Sequence, residues 1–152
     1  MSPLALSPGK VYSWEDLGSQ FGFKPDYIGM AGGMVVSART NSLLLITHPG
    51  GGAAFDYRDI WDGDDLIYTG RGTDGDQTRT GPNLDVARNR RRLHVFEAAG
   101  PRMLRYLGMP RCVEERVAQA PDRRRRMRNV LRFRLRFPPE SGRAYTATVS
   151  RR

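Results

Sequence analysis

The sequence predicts an α+β domain that is mostly β, a strongly bent sheet or barrel with short flanking helices. Three observations predict it: many short apolar segments separated by glycine, one run at 130–137 with strict alternation, and only two stretches with helix-start chemistry. At 152 residues the chain is one domain's worth of material, read as a single domain over 1–152.

Residues 1–10, with Pro3 and Pro8, read as a loose lead-in. Ser13 followed by Trp14, Glu15 and Asp16 supplies an N-cap and first-turn acids, which predicts a helix to about Phe21. Strands follow at Met34–Ser37, Leu43–Thr47, Ala54–Tyr57 and Leu66–Thr69. Pro82 suits a first helical position and leads into a second helix over Asn83–Arg90. Further strands are expected at Leu93–Glu97 and Met103–Leu107, with less regular candidates at Val113–Val117 and Tyr145–Val149. In 130–137, Leu131, Phe133, Leu135 and Phe137 alternate with Arg132, Arg134 and Arg136, so a strand there carries an apolar row on one face and a guanidinium row on the other. Residues 138–152 read as a basic C-terminal extension.

Composition excludes several classes. No apolar run approaches the roughly 18 residues of a membrane span and no signal-peptide pattern opens the chain, so no membrane partner is expected and the localisation read is cytoplasmic, nucleoid-associated. A single cysteine, Cys112, with His48 and His94, supplies neither a disulfide framework nor a structural zinc site. Residues 1–82 carry six basic groups against ten acidic ones, whereas 83–152 carry 19 arginines against six acids. A GC-rich genome enriches arginine everywhere, but here the enrichment is confined to one half. Arginine's planar fork bonds phosphate bidentately, so the second half reads as a polyanion-binding surface.

Two motifs invite catalytic or nucleotide readings and fail them. Gly70-Arg71-Gly72-Thr73-Asp74-Gly75 matches GxGxxG after a strand, yet Asp76 and Pro82 follow where a phosphate-facing helix must start. The aspartates from Asp56 to Asp76 cluster around glycine turns, where aspartate is ordinary turn chemistry, and no nucleophile or general-base constellation accompanies them. His48 and His94 are read as structural. The stretch from Phe55 to Gly70 places rings and a carboxylate on neighbouring segments. Two rings can sandwich a flat base while a carboxylate accepts from the exocyclic amine of cytosine; the same rings, Tyr57, Trp61 and Tyr68, also suit a core.

Tyr57-x-Asp59-x-x-x-Gly63, Tyr68-Thr69-Gly70-x-Gly72, Gly75-Asp76-Gln77 and Pro82-Asn83-Leu84-x-x-Ala87 resemble the SET-and-RING-associated (SRA, or YDG) domain, in particular its bacterial branch. Gly32-Gly33-Met34, Arg39-x-Asn41 and Leu43-Leu44-Leu45 upstream, and Leu93–Glu97, Arg105-Tyr106-Leu107-Gly108 and 130–137 downstream, extend the resemblance over about 25–137. It implies an SRA-like, PUA-related bent barrel that recognises 5-methylcytosine in duplex DNA by flipping the base. Carried over, Tyr68 stacks on the base, Asp59 accepts from its N4 amine, and Thr69 and Gly70 supply main-chain contacts. The family's opposite ring stands three residues before the aspartate, which is Asp56 here, so Tyr57 takes that role with Phe55 second. Arg71 stands where the family has a small residue beside the methyl group. The insertion used by animal members to read the partner base is missing, because Gly72 to Asp76 is a short turn, so CpG or hemimethylation preference does not transfer.

The resulting expectation is a non-catalytic reader of methylated duplex DNA, without cofactor or metal. Arg39 is expected to enter the duplex, and Asn41, Arg79, Asn83, Arg90, Arg132, Arg134 and Arg136 to contact DNA. Alternate guanidiniums of the last strand stand about 6.6 Å apart, close to the phosphate spacing. The competing readings are a modification-dependent nuclease or its specificity subunit, and an RNA-binding PUA-like module; a separate nuclease or effector protein is the second partner considered.

Overall fold

The computed structural model describes residues 6–48 and 59–139. β1 (Val11–Ser13) runs into α1 (Trp14–Phe21), where Ser13 Oγ accepts the Asp16 N–H at 3.0 Å and Gly22, at φ 82°, closes the helix by donating to Gly18 O. The single turn α2 (Tyr27–Met30) precedes β2 (Met34–Ser37) and β3 (Ser42–Thr47), an antiparallel pair whose connection holds Asn41 at φ 50°. β4 (Ile60–Asp62) and β5 (Asp65–Thr69) form a tight hairpin across Gly63 and Asp64. Then come α3 (Pro82–Ala87), β6 (Arg92–Ala98), β7 (Met103–Gly108), β8 (Arg111–Pro121) and β9 (Met127–Arg136).

These strands make two open sheets, ordered β1-β7-β6-β3-β2 and β4-β5-β9-β8. The one parallel pairing among the described residues is β3 with β6, between which the chain builds β4, β5 and α3. β3 explains the architecture, because all six of its residues are buried. Leu43 and Leu45 join Leu66, Phe133 and Leu135 between the sheets, while Leu44 and Ile46 join Leu17, Phe21 and Phe96 beneath α1 and α2. A strand covered on both faces reads as a continuous apolar run, as Leu43–Ile46 does.

The expected bent barrel is thus built from two facing sheets, and the predicted strands within the described residues are present. β1 and β4 had no sequence signal: three residues carry no period, and both exist through pairing with β7 and β5. β8 is longer than expected, a largely exposed edge strand with a bulge between Cys112 and Glu114. α3 ends at Ala87 instead of Arg90, since Asn89 turns to φ 51° and its side-chain amide bonds both backbone groups of Cys112. The candidate strands at 54–57 and 145–149 lie outside the described residues. Among those described, no helix is long and apolar enough to cross a membrane.

Candidate nucleic-acid interface

A cavity of about 970 Å³ opens where β3, β5, α2 and the turn after β6 converge. Asp59, Tyr68 and Thr69 line it, and so do Trp14, Ile28, Pro101 and Met103. Arg102 lies 4.8 Å over the Trp14 ring and pairs with Glu15 and Asp26, which fixes the wall at Trp14.

Tyr68 is held by its hydroxyl, 2.8 Å from Gly33 O and 3.1 Å from Ile46 O. Gly33 permits this approach: it sits at φ 91°, and a Cβ there would lie 3.2 Å from the Tyr68 hydroxyl. Asp59 Oδ1 accepts the Thr69 N–H at 2.9 Å, and the Thr47 hydroxyl also bonds the carboxyl. Burial nevertheless dominates and pushes the Asp59 carboxyl up to about 7, against the opposing effects of Thr69, Thr47 and the Arg132 charge. The cavity therefore presents an aromatic ring beside a carboxyl that exchanges its proton near neutrality, a perturbation characteristic of functional sites.

The glycine-rich loop after β5 is clamped from beneath. Gln77 donates to Gly70 O at 2.7 Å and to Gly72 O at 3.2 Å, and accepts from the Leu131 N–H at 2.8 Å. Asn83 bonds both backbone groups of Arg71 and accepts no side-chain freedom in doing so, being only 4% exposed. A Cβ on Gly70 would meet Gln77 Oε1 at 2.9 Å and Asn83 Oδ1 at 3.1 Å, so the clamp itself demands glycine. The GxGxxG match is a loop support, and no helix begins within it.

Several residues expected at the DNA have partners within the protein. Gly70 donates to Leu131 O and accepts from Gln77, and the Thr69 N–H is taken by Asp59, so these main-chain groups serve the protein itself. Asn83 is a buried clamp and not a surface contact. Arg39 does not project freely: its Nη2 donates to Ser19 O and Gln20 O at the end of α1, where cations are favoured. Arg79 pairs with Glu115 at 2.7 Å. Arg132, Arg134 and Arg136 do share the face opposite buried Phe133 and Leu135, but Arg134 bonds Asp62, Asp65 and Glu114, and Arg136 bonds Asp65. Within that row, Arg134 and Arg136 tie strands together through these carboxylates. Asn41 and Arg90 are exposed, and Arg71 lines the cavity. Tyr57 and Phe55 lie outside the described residues.

His94 is structural as expected, buried with Nδ1 2.9 Å from the Tyr106 hydroxyl, and burial pushes it down to about 4. His48 instead lines the cavity. Sequence reasoning also passed over Gln77, whose place in Gly75-Asp76-Gln77 was its only signal, and the cavity wall of Trp14 and Arg102.

No family model matches the chain, and no curated protein sequence does. Solved structures do. The SRA domain of SUVH5, in complex with hemimethylated CG DNA, superposes with a TM-score of 0.60 at 19% identity, over 91% of this chain and 92% of that one. The sulfur-binding and SRA domains of ScoMcrA, complexed with phosphorothioated DNA, give 0.65 at 21% identity, over 92% of this chain but 44% of the other. MspJI restriction endonuclease bound to a 27-mer oligonucleotide gives 0.53 at 15% identity, over 90% of this chain and 34% of the other. This chain therefore has the SRA-domain fold, nearly the whole of an isolated SRA domain and less than half of the restriction enzymes.

Proposed function

We propose that the chain binds duplex DNA carrying a modified cytosine and takes that base, 5-methylcytosine, into the cavity beside Tyr68 and Asp59. The observation that carries this reading is the pairing of an anchored aromatic ring with a carboxyl raised to about 7 in a cavity of an SRA fold. The SUVH5 and ScoMcrA structures, both captured with modified DNA, support it.

In this mechanism the extruded base stacks on Tyr68, and Asp59 accepts from its N4 amine. When protonated, Asp59 also offers an O–H to the ring N3, so its two oxygens match two adjacent atoms of the Watson–Crick edge. Extrusion costs a few kcal/mol, offset by stacking and these edge hydrogen bonds. Tyr57, with Phe55 second, is our candidate for the opposite ring. The test is a competition at constant salt among identical duplexes carrying unmodified, hemimethylated or fully methylated cytosine. Modified duplexes should win by at least several-fold, and hemimethylated and fully methylated ones should bind alike apart from the advantage of two sites. Equal affinity for all three overturns the reading.

The likeness to the restriction enzymes favours one second reading, in which this chain is the specificity portion of a nuclease. Cleavage of methylated plasmid with a divalent metal, by the chain alone or with a partner subunit, tests it.

A further inference from the structure

Several arginines, Arg79, Arg91, Arg102, Arg123, Arg134 and Arg136 among them, close ion pairs with carboxylates; Arg88, Arg90, Arg92 and Arg111 are exposed and have no such partner among the described residues. The exposed side chains of Arg124, Arg125 and Arg126, in the β8–β9 turn, have no acidic partner among the described residues.

This turn is a built structure. Asp122 is buried, and its Oδ1 accepts the N–H groups of Arg124 at 2.8 Å and Arg126 at 2.9 Å. The Arg126, Gly75 and Arg124 N–H groups, with the charge of Arg128, hold the Asp122 carboxyl below its usual range. Arg125 takes φ 66° and donates its N–H to Asp122 O at 2.9 Å. All these bonds use main chain, which leaves the three guanidiniums for other partners.

The turn is also lashed to the cavity wall. Arg123 N–H donates to Thr73 O at 2.9 Å, and its guanidinium pairs with Asp74 at 2.8 Å. Arg128, 4% exposed, donates from Nη1 to Gly72 O at 2.8 Å and Gly75 O at 3.0 Å. Gly72 and Thr73 line the cavity, so these bonds connect the tip directly to the cavity wall. Arg128 Nε and Nη2 find no acceptor among the described residues, which leaves a cation beneath the tip with Asp122 as its nearby countercharge. Three outward guanidiniums above a buried fourth select a dense, regularly spaced anion, as the phosphates of duplex DNA are.

We propose that Arg124, Arg125 and Arg126 form a phosphate clamp that grips the DNA backbone in fixed register with the cavity. The proposal takes its partner from the DNA reading above, and its test is separable from that reading. The substitution Arg124→Gln/Arg125→Gln/Arg126→Gln removes charge while leaving the Asp122 cap intact, which a thermal melt verifies. The slope of log affinity against log salt on unmodified duplex should fall by up to about 2.7, from roughly 0.9 per lost phosphate contact. The preference for methylated over unmodified duplex should stay within about twofold of the original. On a singly methylated duplex, neutral methylphosphonates within a few nucleotides of the modified base should weaken the original protein and leave the triple variant unaffected. An unchanged salt slope overturns the clamp, and interference at distant phosphates alone overturns its register. Loss of methyl preference with an intact slope in Asp59→Ala would leave the clamp standing, because only the base site reads the modification. If the original protein shows no methyl preference, the base-site reading fails while the salt slope still decides the clamp.

Discussion

The two ends of the four-stranded sheet carry the same residue types and treat them oppositely. At one end Asp65 accepts from Arg134 and Arg136, whose guanidiniums hold its carboxyl below the usual range, Arg136 most strongly. At the other, Asp59 is raised to about 7 by burial, while the guanidiniums of Arg124–Arg126 stand without acids among the described residues. Paired charges stabilise a fold and offer little to a ligand. A carboxyl carrying a burial penalty and cations without countercharges are the groups that a ligand can satisfy.

The largest effect should separate the two aspartates by function. Asp59→Ala removes an edge acceptor and should cost roughly 1–3 kcal/mol on the methylated site, about 5- to 150-fold, with weak nonspecific binding retained. Asp65→Ala should leave the methyl preference unchanged and lower the melting temperature, because Arg134 and Arg136 lose their shared partner. Fluorescence anisotropy and thermal melts on both variants check this; a lost preference in Asp65→Ala would erase the distinction.

The pH dependence of stability should have opposite signs at the two ends. Asp59 has a folded value above its unfolded 3.8, so the folded state holds a proton that the unfolded chain has released. Its contribution is fully present below about pH 4 and lost as pH rises to about 7. Asp65 is lowered, so its contribution is present above pH 3.8 and lost as pH falls through its folded value. Asp59→Asn should therefore melt above the original protein at pH 8 and converge with it near pH 4. Asp65→Asn should melt below it at pH 8, with the gap narrowing in acid. Calorimetry from pH 8 down to well below pH 3.8 reads both.

The smallest effect concerns Arg39, whose guanidinium serves the carbonyls ending α1. Arg39→Ala should cost up to about 1 kcal/mol of stability and leave the ratio of methylated to unmodified binding within twofold. A hemimethylated preference abolished by this substitution would place Arg39 in the duplex instead and extend the binding surface beyond that end of the sheet.

What the sequence by itself determined is what depends on near neighbours along the chain. Alternation in Leu131–Phe137 makes a strand with one apolar face, Ser13 caps α1 by bonding three residues ahead, and the apolar run in β3 announces burial on both faces. A ring and a carboxyl on neighbouring segments separated by a turn were legible, the family resemblance pointed to Tyr68 and Asp59, and both line the cavity. Tertiary structure alone decided which charges are spent. Arg134 meets Asp62 and Asp65 across 72 and 69 residues of chain, while the guanidiniums of Arg124–Arg126, a few positions earlier, meet no acid among the described residues. The same holds for Gln77 and Asn83, which are clamps only because β9 and the Gly70–Gly72 loop pass beside them, and for the three-residue strands β1 and β4. Neutralisation, burial and pairing are set by what another segment brings within about 3 Å, and no periodicity encodes the identity of that segment.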